Sequence, residues 1–172
     1  MYVTPAQLSQ GAGASMELAQ VFDLPLELWQ LTLSGGDRSA YTPADIEAAD
    51  AAVLAISDAC TRASAEVDAY LAVRYTLPLD VALFPVLVTW ARAIARYHTH
   101  LSRERTSEEL GRVERDYRDA RQALERVAEG RLSLGVNDPL TPGSSDPDDA
   151  DAGPIRVASA ERLFSRASLG DL

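Results

Sequence analysis

Histidine and cysteine are common in metal sites and nucleophilic centres, and this sequence contains few of them. His98 and His100 are its two histidines, and Cys60 is its single cysteine. Two helical positions separated by one residue are rotated by about 200°, so one metal ion cannot easily bind both imidazoles. Cys60 falls on the apolar face of a predicted helix, where a thiol acts as a small hydrophobic group. We therefore expect polar helix positions at the histidines and a buried, unreactive cysteine.

The acidic residues also lack the spacing of a catalytic or metal-binding motif. Glu66 and Asp68 are two positions apart on a helix and point to different sides, which is poor geometry for paired catalytic carboxylates. DPDDAD, residues 146–151, lacks the glycine and the distal glutamate of a calcium loop. SGGDR, residues 34–38, lacks the strand and the Lys-Ser/Thr of a phosphate loop. The sequence therefore predicts a protein that is not an enzyme and that needs no cofactor or metal.

The amino-acid composition limits the classes of partner that this protein can be expected to bind. The chain of 172 residues has a formal net charge of -10, and all 16 of its basic residues are arginine. Such an acidic chain lacks the basic face of a protein that binds nucleic acid tightly. Its start, MYVTPAQLSQ, has no signal-peptide pattern, and no apolar run approaches the roughly 18 residues of a membrane span. We expect a soluble protein made in a reducing cytoplasm, without a membrane partner.

Apolar residues recur at intervals of three and four along three long stretches, which predicts three amphipathic helices. The long helices are expected near residues 43–73, 84–104 and 107–130, and short ones at 4–9 and within 14–34. The predicted apolar faces are Ile46, Ala49, Val53, Ile56, Cys60, Ala63, Val67 and Tyr70; Leu87, Trp90, Ile94, Tyr97 and Leu101; and Leu110, Val113, Tyr117, Ala120, Leu124 and Val127. We predict a mainly α fold: a bundle of three long helices plus short N-terminal helices, with an extended C-terminal arm.

The third helix carries arginines and acids on its remaining faces, in the run RVERDYRDARQALERVAEGR at residues 112–131. This pattern is typical of a solvated helix with ion pairs between residues four apart. A charged interface between subunits is the alternative interpretation.

A change of composition after Gly135 predicts three parts in the chain. Residues 1–135 form the helical domain, and residues 136–154 form an acidic linker rich in Pro, Gly and Ser that cannot build a core. Residues 155–172 become apolar again, which predicts a docking segment that folds onto a partner. The expected contacts with a partner or neighbouring copy are Leu163, Phe164, Arg166 and Leu169.

The stretch SAEVDAYLAVRYTLPL, residues 64–79, places tyrosine, arginine and proline residues in a definite order, although no catalytic group lies in it. Tyr70 lies near the end of the first long helix, and Arg74, Tyr75 and Pro78 follow it. A buried helix end leaves carbonyl groups without partners, and an arginine and a tyrosine hydroxyl can donate hydrogen bonds to them. We therefore predict that these four residues are structural.

This stretch resembles the signature of the phage Mu-like small connector family, in which Asp-x-Tyr-Leu closes a helix before Arg-Tyr-x-Leu-Pro-Leu. Four further stretches are similar to family motifs in the same order: YVTPAQL, LELWQLT, VLVTWARAIARYHTH and FSRASL. The resemblance implies a head-tail connector, or adaptor, that forms a homo-oligomeric ring, usually of twelve copies, under the portal. The ring would extend the DNA channel without sequence-specific DNA binding and would join head to tail.

The resemblance further implies that the portal protein and the next connector or tail-terminator protein are partners. It implies a location at the head-tail interface of the virion, after assembly in the cytoplasm of the infected bacterium. Two alternatives stay open: a head-completion plug that closes the channel, and a helical adaptor or regulator in the host cytoplasm.

Overall fold

The computed structural model describes residues 1–101, 107–135 and 138. Six helices lie in these ranges: α1 (Pro5–Leu8), α2 (Ala12–Val21), α3 (Leu26–Ser34), α4 (Pro43–Leu71), α5 (Val86–Leu101) and α6 (Ser107–Ala128). The described part contains no β-strand, so the predicted mainly α fold is confirmed. The predicted ends of the three long helices agree with the observed ends to within two residues, except at 102–104, which lie outside the described residues.

Two helices begin at capping boxes that are visible in the sequence. The hydroxyl oxygen of Thr42 accepts a hydrogen bond from the amide of Asp45 at 3.2 Å, and the Asp45 carboxylate accepts one from the amide of Thr42 at 3.3 Å. Thr4 and Gln7 make the same reciprocal pair at the start of α1. Proline follows each threonine at the first helical position, where the missing amide hydrogen costs nothing. These local contacts set where α1 and α4 start.

The three long helices run in alternating directions. Along α4, Glu66 approaches Tyr117 of α6, and Arg74, just beyond the helix, reaches Val127 of α6. Residue numbers increase in the same direction along both helices in these pairs, so α4 and α6 are parallel. The intervening helix α5 runs in the opposite direction. One end of the bundle therefore contains the carboxyl ends of α4 and α6 and the start of α5.

Small residues let α4 pack closely against its neighbours. Its buried residues are Ala49, Ala52, Ile56, Ala59, Cys60, Ala63, Ser64, Val67 and Leu71. Ile46, Val53 and Tyr70, which the sequence placed on the core face, are only half-buried. The buried stripe is therefore rotated toward Ala52, Ala59 and Leu71. Alanine fills much of the core because it permits a short distance between helix axes.

The two tryptophans have different environments. Trp29 of α3 is fully buried, and its indole nitrogen donates to the Ser9 hydroxyl at 2.9 Å. Trp90, expected in the core, is half-buried at the surface of α5, and Leu101 on the same predicted face is 60% exposed. The buried residues of α5 are Leu87, Ala91, Ile94, Ala95, Thr99 and His100, so only Leu87 and Ile94 of the predicted face are fully buried.

Candidate functional site

In the described ranges, no cluster of three or more histidine, cysteine or acidic side chains could hold a metal ion. Cys60 is fully buried, and burial raises the pKa of its thiol to about 11. A thiol in this environment stays protonated and cannot act as a nucleophile at neutral pH. The surfaces of the bundle, and the contacts that hold them in place, are therefore the candidates for a functional site.

The two histidines point to different sides of α5, as their spacing predicted. His98 Nε2 lies 3.1 Å from Glu66 Oε2 of α4, and His100 Nε2 lies 2.6 Å from Glu17 Oε1 of α2. Each imidazole therefore joins a separate polar cluster between helices. Sequence reasoning missed these clusters, because the partners lie 32 and 83 residues away along the chain.

The Glu17 cluster, consisting of Glu17, Arg96, His100 and Asp116, joins α2, α5 and α6. Arg96 holds the Glu17 carboxylate with two donors, Nε at 2.6 Å and Nη2 at 2.7 Å, and donates from Nη1 to Asp116 at 3.1 Å. Burial alone would raise the pKa of Glu17. The hydrogen bonds and positive charges of His100 and Arg96 outweigh burial and lower this pKa to about 2. The ionised carboxylate thus ties α2 to the bundle.

The Glu66 cluster lies between α4, α5 and α6. Besides His98, the Glu66 carboxylate accepts a hydrogen bond from the Tyr117 hydroxyl at 3.1 Å. Arg121 donates to the hydroxyl of Tyr70 at 2.9 Å, so Tyr70 of the sequence motif links α4 to α6. The ring of Tyr117 also stacks on that of Tyr97, with centroids 4.0 Å apart. This cluster sets the register of α4 against α6.

Arg74 binds the end of another helix. Its Nη1 donates to the carbonyl oxygen of Val127 at 3.0 Å, in the last turn of α6. Gly130, just beyond that turn, has φ +76°, and an added Cβ would lie 3.3 Å from the Arg74 guanidinium carbon. A side chain there would be both strained and crowded. Arg74 thus donates to the end of α6, whereas the sequence pointed to the end of α4.

Tyr75 and Pro78 complete the sequence motif. The Tyr75 hydroxyl donates to Asp138 Oδ2 at 2.8 Å, and the same oxygen accepts from the Leu134 amide at 2.9 Å. Burial, followed by the hydrogen bond to Asp138, raises the pKa of Tyr75 to about 12. Its partner is a carboxylate, whereas carbonyl groups were expected from the sequence. Pro78 is exposed and follows a cis peptide bond.

These contacts join the start of the segment after α4 to the segment after α6, and residues 72–85 and 129–135 lie at one end of the bundle. Four apolar side chains in these segments are exposed: Val73 by 69%, Val81 by 37%, Leu83 by 53% and Leu132 by 37%. We call these four residues the apolar end. Exposed apolar groups on segments anchored by buried hydrogen bonds are typical of an interaction surface. The sequence motif around Arg74 signalled the anchor, but periodicity did not reveal the exposed side chains.

The predicted docking residues Leu163, Phe164, Arg166 and Leu169 lie outside the described residues. The predicted division at residues 136–154 and 155–172 also lies almost entirely outside them, so both expectations remain predictions. Within the described ranges, none of the helices combines the length and the apolar character that crossing a membrane requires.

Comparison with known proteins identifies a family and a relative that this chain resembles. The family model described as Bacteriophage Mu, Gp36 matches residues 2–150. A curated relative, the Mu-like prophage FluMu protein gp36 of Haemophilus influenzae, is 37% identical over 83 residues. That alignment covers 48% of this chain and 55% of the relative. No solved structure matches the chain. Because the family model covers most of the sequence, including the Arg74 motif and all six helices, this chain belongs to the bacteriophage Mu Gp36 family.

Proposed function

We propose that this protein is a virion structural protein, a head-tail connector that forms a ring under the portal. The ring extends the DNA channel and joins the head to the tail. The proposal rests on the chain's membership of a phage protein family and, above all, on the apolar end. A connector needs such a surface, because it must bind a neighbouring component after it has folded.

The apolar end is suited to this role because its backbone is held before a partner arrives. Arg74 and Tyr75 tie the segment after α4 to the segment after α6. A surface arranged in advance loses less conformational entropy on binding than one that must order itself. The portal protein and the next connector or tail-terminator protein are the partners that this function requires.

Charge favours a channel through which DNA passes without being held. The formal net charge is -10, and two arginines of α6, Arg118 and Arg121, are paired with Glu114 and Glu125 of the same helix. A strongly basic channel would bind the phosphate backbone and slow its passage. We propose a ring of twelve copies, assembled on the portal, in which each copy contributes one helical bundle to the wall.

A head-tail joining assay tests the contact. Heads lacking this protein are mixed with purified protein and tails, and infectious particles are counted. Leu83→Asp places a charge on the apolar end and is expected to reduce joining at least tenfold, because an unpaired charge cannot be buried cheaply. Leu54→Asp is the matched control: Leu54 is 71% exposed but lies in the middle of α4. Normal joining by Leu83→Asp would contradict the proposed contact surface.

A reconstruction of the particle separates the proposed function from its alternatives. A ring of copies with an open lumen, located between portal and tail, is the expected result. A ring that closes the lumen would instead identify a head-completion plug. Absence of the protein from purified virions, with a monomer or dimer in infected cells, would favour a helical adaptor or regulator in the host cytoplasm.

A further inference from the structure

A groove of about 570 Å³ lies between the N-terminal helices and the α5–α6 pair. Ala14 and Glu17 line it from α2, Trp90 and Ala93 from α5, and Ala120 from α6. A groove of this size can hold a ligand or a few side chains. Along this stretch α2 is therefore not packed closely against α5 and α6, and other contacts must keep it in place.

Glu17 supplies the ionic attachment of α2 to α5. Its carboxylate accepts hydrogen bonds from Nε and Nη2 of Arg96, at 2.6 and 2.7 Å, and lies 2.6 Å from Nε2 of His100. Both partners belong to α5. The sequence of α2, AGASMELAQV, contains no second charged residue. A single carboxylate therefore carries every ion pair that α2 can make.

The chain on either side of α2 is fixed independently of it. Trp29 of α3 is fully buried, and its indole nitrogen donates to the hydroxyl of Ser9, just after α1, at 2.9 Å. Leu8 of α1 and Leu28 of α3 are also buried. The ends of α1 and α3 are thus held to one another, so α2 can move without displacing them.

Residues with a left-handed backbone flank α2. Gly11, before the helix, has φ +100°, and Asp23, after it, has φ +57°. Among the described residues, no atom lies within 4 Å of a Cβ added at Gly11, and no side chain caps the start of α2. Residues at the ends of an element commonly absorb the backbone rotation of a hinge. Gly11 and Asp23 are therefore suited to act as the two joints of α2.

We propose that α2 is a strap that opens from the bundle as a unit, pivoting at these two joints, and that the Glu17 cluster holds it closed. Opening exposes the buried apolar residues of α2, which are Leu18, Ala19 and Val21, and leaves the core between α4, α5 and α6 intact. Such a local opening costs less free energy than unfolding, because it exposes less apolar surface. It also widens the groove, so a ligand that binds the open form more tightly shifts α2 toward that form. The inference does not rest on the connector role.

Thiol labelling of the full-length protein tests the opening. Ala19→Cys places a thiol at a position that is 2% exposed on α2, and the native Cys60 of α4 is fully buried. Cys60 therefore reports on opening of the bundle, and the introduced thiol reports on opening of α2. Each labelling rate, measured with a small disulfide reagent, is divided by the rate of the same thiol in urea-unfolded protein.

The introduced thiol should react at least about tenfold faster than Cys60, because α2 opens without the bundle. Urea should accelerate its reaction less steeply than that of Cys60, since a local opening exposes less surface. Equal rates with equal urea dependence would overturn the proposal, because α2 would then open only when the whole fold does.

Two substitutions separate the strap from the bundle. Glu17→Gln should accelerate labelling of the introduced thiol at least about tenfold, because Arg96 loses its charged partner in the closed form. Arg74→Ala is the control, because the contact of Arg74 with α6 is unaffected when α2 opens. It should accelerate labelling of Cys60 and leave the rate at the introduced thiol unchanged. Acceleration of both thiols by the same factor in Arg74→Ala would refute the strap, and an unchanged rate in Glu17→Gln would refute the role of the Glu17 cluster.

Val21→Cys, at a second buried position of α2, replaces Ala19→Cys as the reporter where circular dichroism shows that the latter has lost its helices. All these measurements are made on the isolated protein and none involves head-tail joining. This inference and the proposed function can therefore fail independently.

Discussion

At the scale of single residues, Arg74 shows how one side chain can join two distant parts of a helical protein. The last carbonyl groups of a helix lack partners within it, and the end of the helix carries a partial negative charge. The Arg74 guanidinium satisfies one of these carbonyls, that of Val127, while its own backbone continues from α4. Lysine would supply the charge but not the planar fork that lies beside Gly130.

Replacing Arg74 should therefore destabilise the fold. Arg74→Ala is expected to lower the free energy of unfolding by about 1–3 kcal/mol, since a partly buried carbonyl loses a charged donor. Arg62→Ala is the control, because Arg62 is exposed and its ion pair within the described part of the chain is with Asp58 on the same helix. The Arg62→Ala substitution should lower the free energy of unfolding by less than about 0.5 kcal/mol. Urea denaturation measures both, and equal stabilities of the two variants would argue against the helix-end contact.

At the scale of elements, the attachment of α2 depends on an ion-pair cluster as well as on apolar contacts. Leu18, Ala19 and Val21 of α2 are buried. Glu17, on the same helix, is held by Arg96 and His100 of α5. Removing one partner from such a cluster leaves the others charged and poorly solvated. The position of α2 should therefore respond to the ionisation of Glu17.

The pH dependence of stability tests this attachment. The pKa of Glu17 is about 2 in the fold, against 4.5 for the unperturbed group. A lowered pKa stabilises the fold above pH 4.5, and this contribution is lost as pH falls from 4.5 toward 2. Glu17→Gln should therefore be less stable than wild type near neutral pH and should approach it at low pH. For Glu114→Gln, which alters an exposed pair with Arg118, the free energy of unfolding should change with pH in parallel with that of wild type. A constant gap between Glu17→Gln and wild type across this range would contradict the assignment.

At the scale of the whole molecule, charge opposes the assembly that we propose. Each copy carries a formal net charge of -10, so copies repel one another at low ionic strength. The free protein is expected to be a monomer that joins a ring on the portal.

Salt should weaken this repulsion. Raising the ionic strength from about 0.01 M to about 1 M shortens the screening length from about 30 Å to about 3 Å, which should shift the free protein toward oligomers. Sedimentation velocity measures the shift, with an uncharged osmolyte as control. Stronger association in low salt would contradict repulsion and would indicate an attractive ionic interface.

Local sequence was sufficient for several features. Thr4 and Thr42, each followed by proline, cap two helices through contacts that are local in sequence, because capping chemistry involves residues only three apart. The recurrence of apolar residues predicted three long helices for the same reason. The position of Cys60 on an apolar face predicted its burial. The RYTLPL motif indicated the family, whose model matches residues 2–150.

Tertiary structure alone decided how these helices meet. His98 and His100 are neighbours in sequence, yet they bind carboxylates on α4 and α2. Arg74 caps α6 instead of α4. Trp29 is the fully buried tryptophan, whereas Trp90 was the one expected in the core. Helical periodicity specifies which residues share a face, but not the rotation and register of one helix against another. Those depend on how side chains from all the helices fill one volume together, which requires the folded chain.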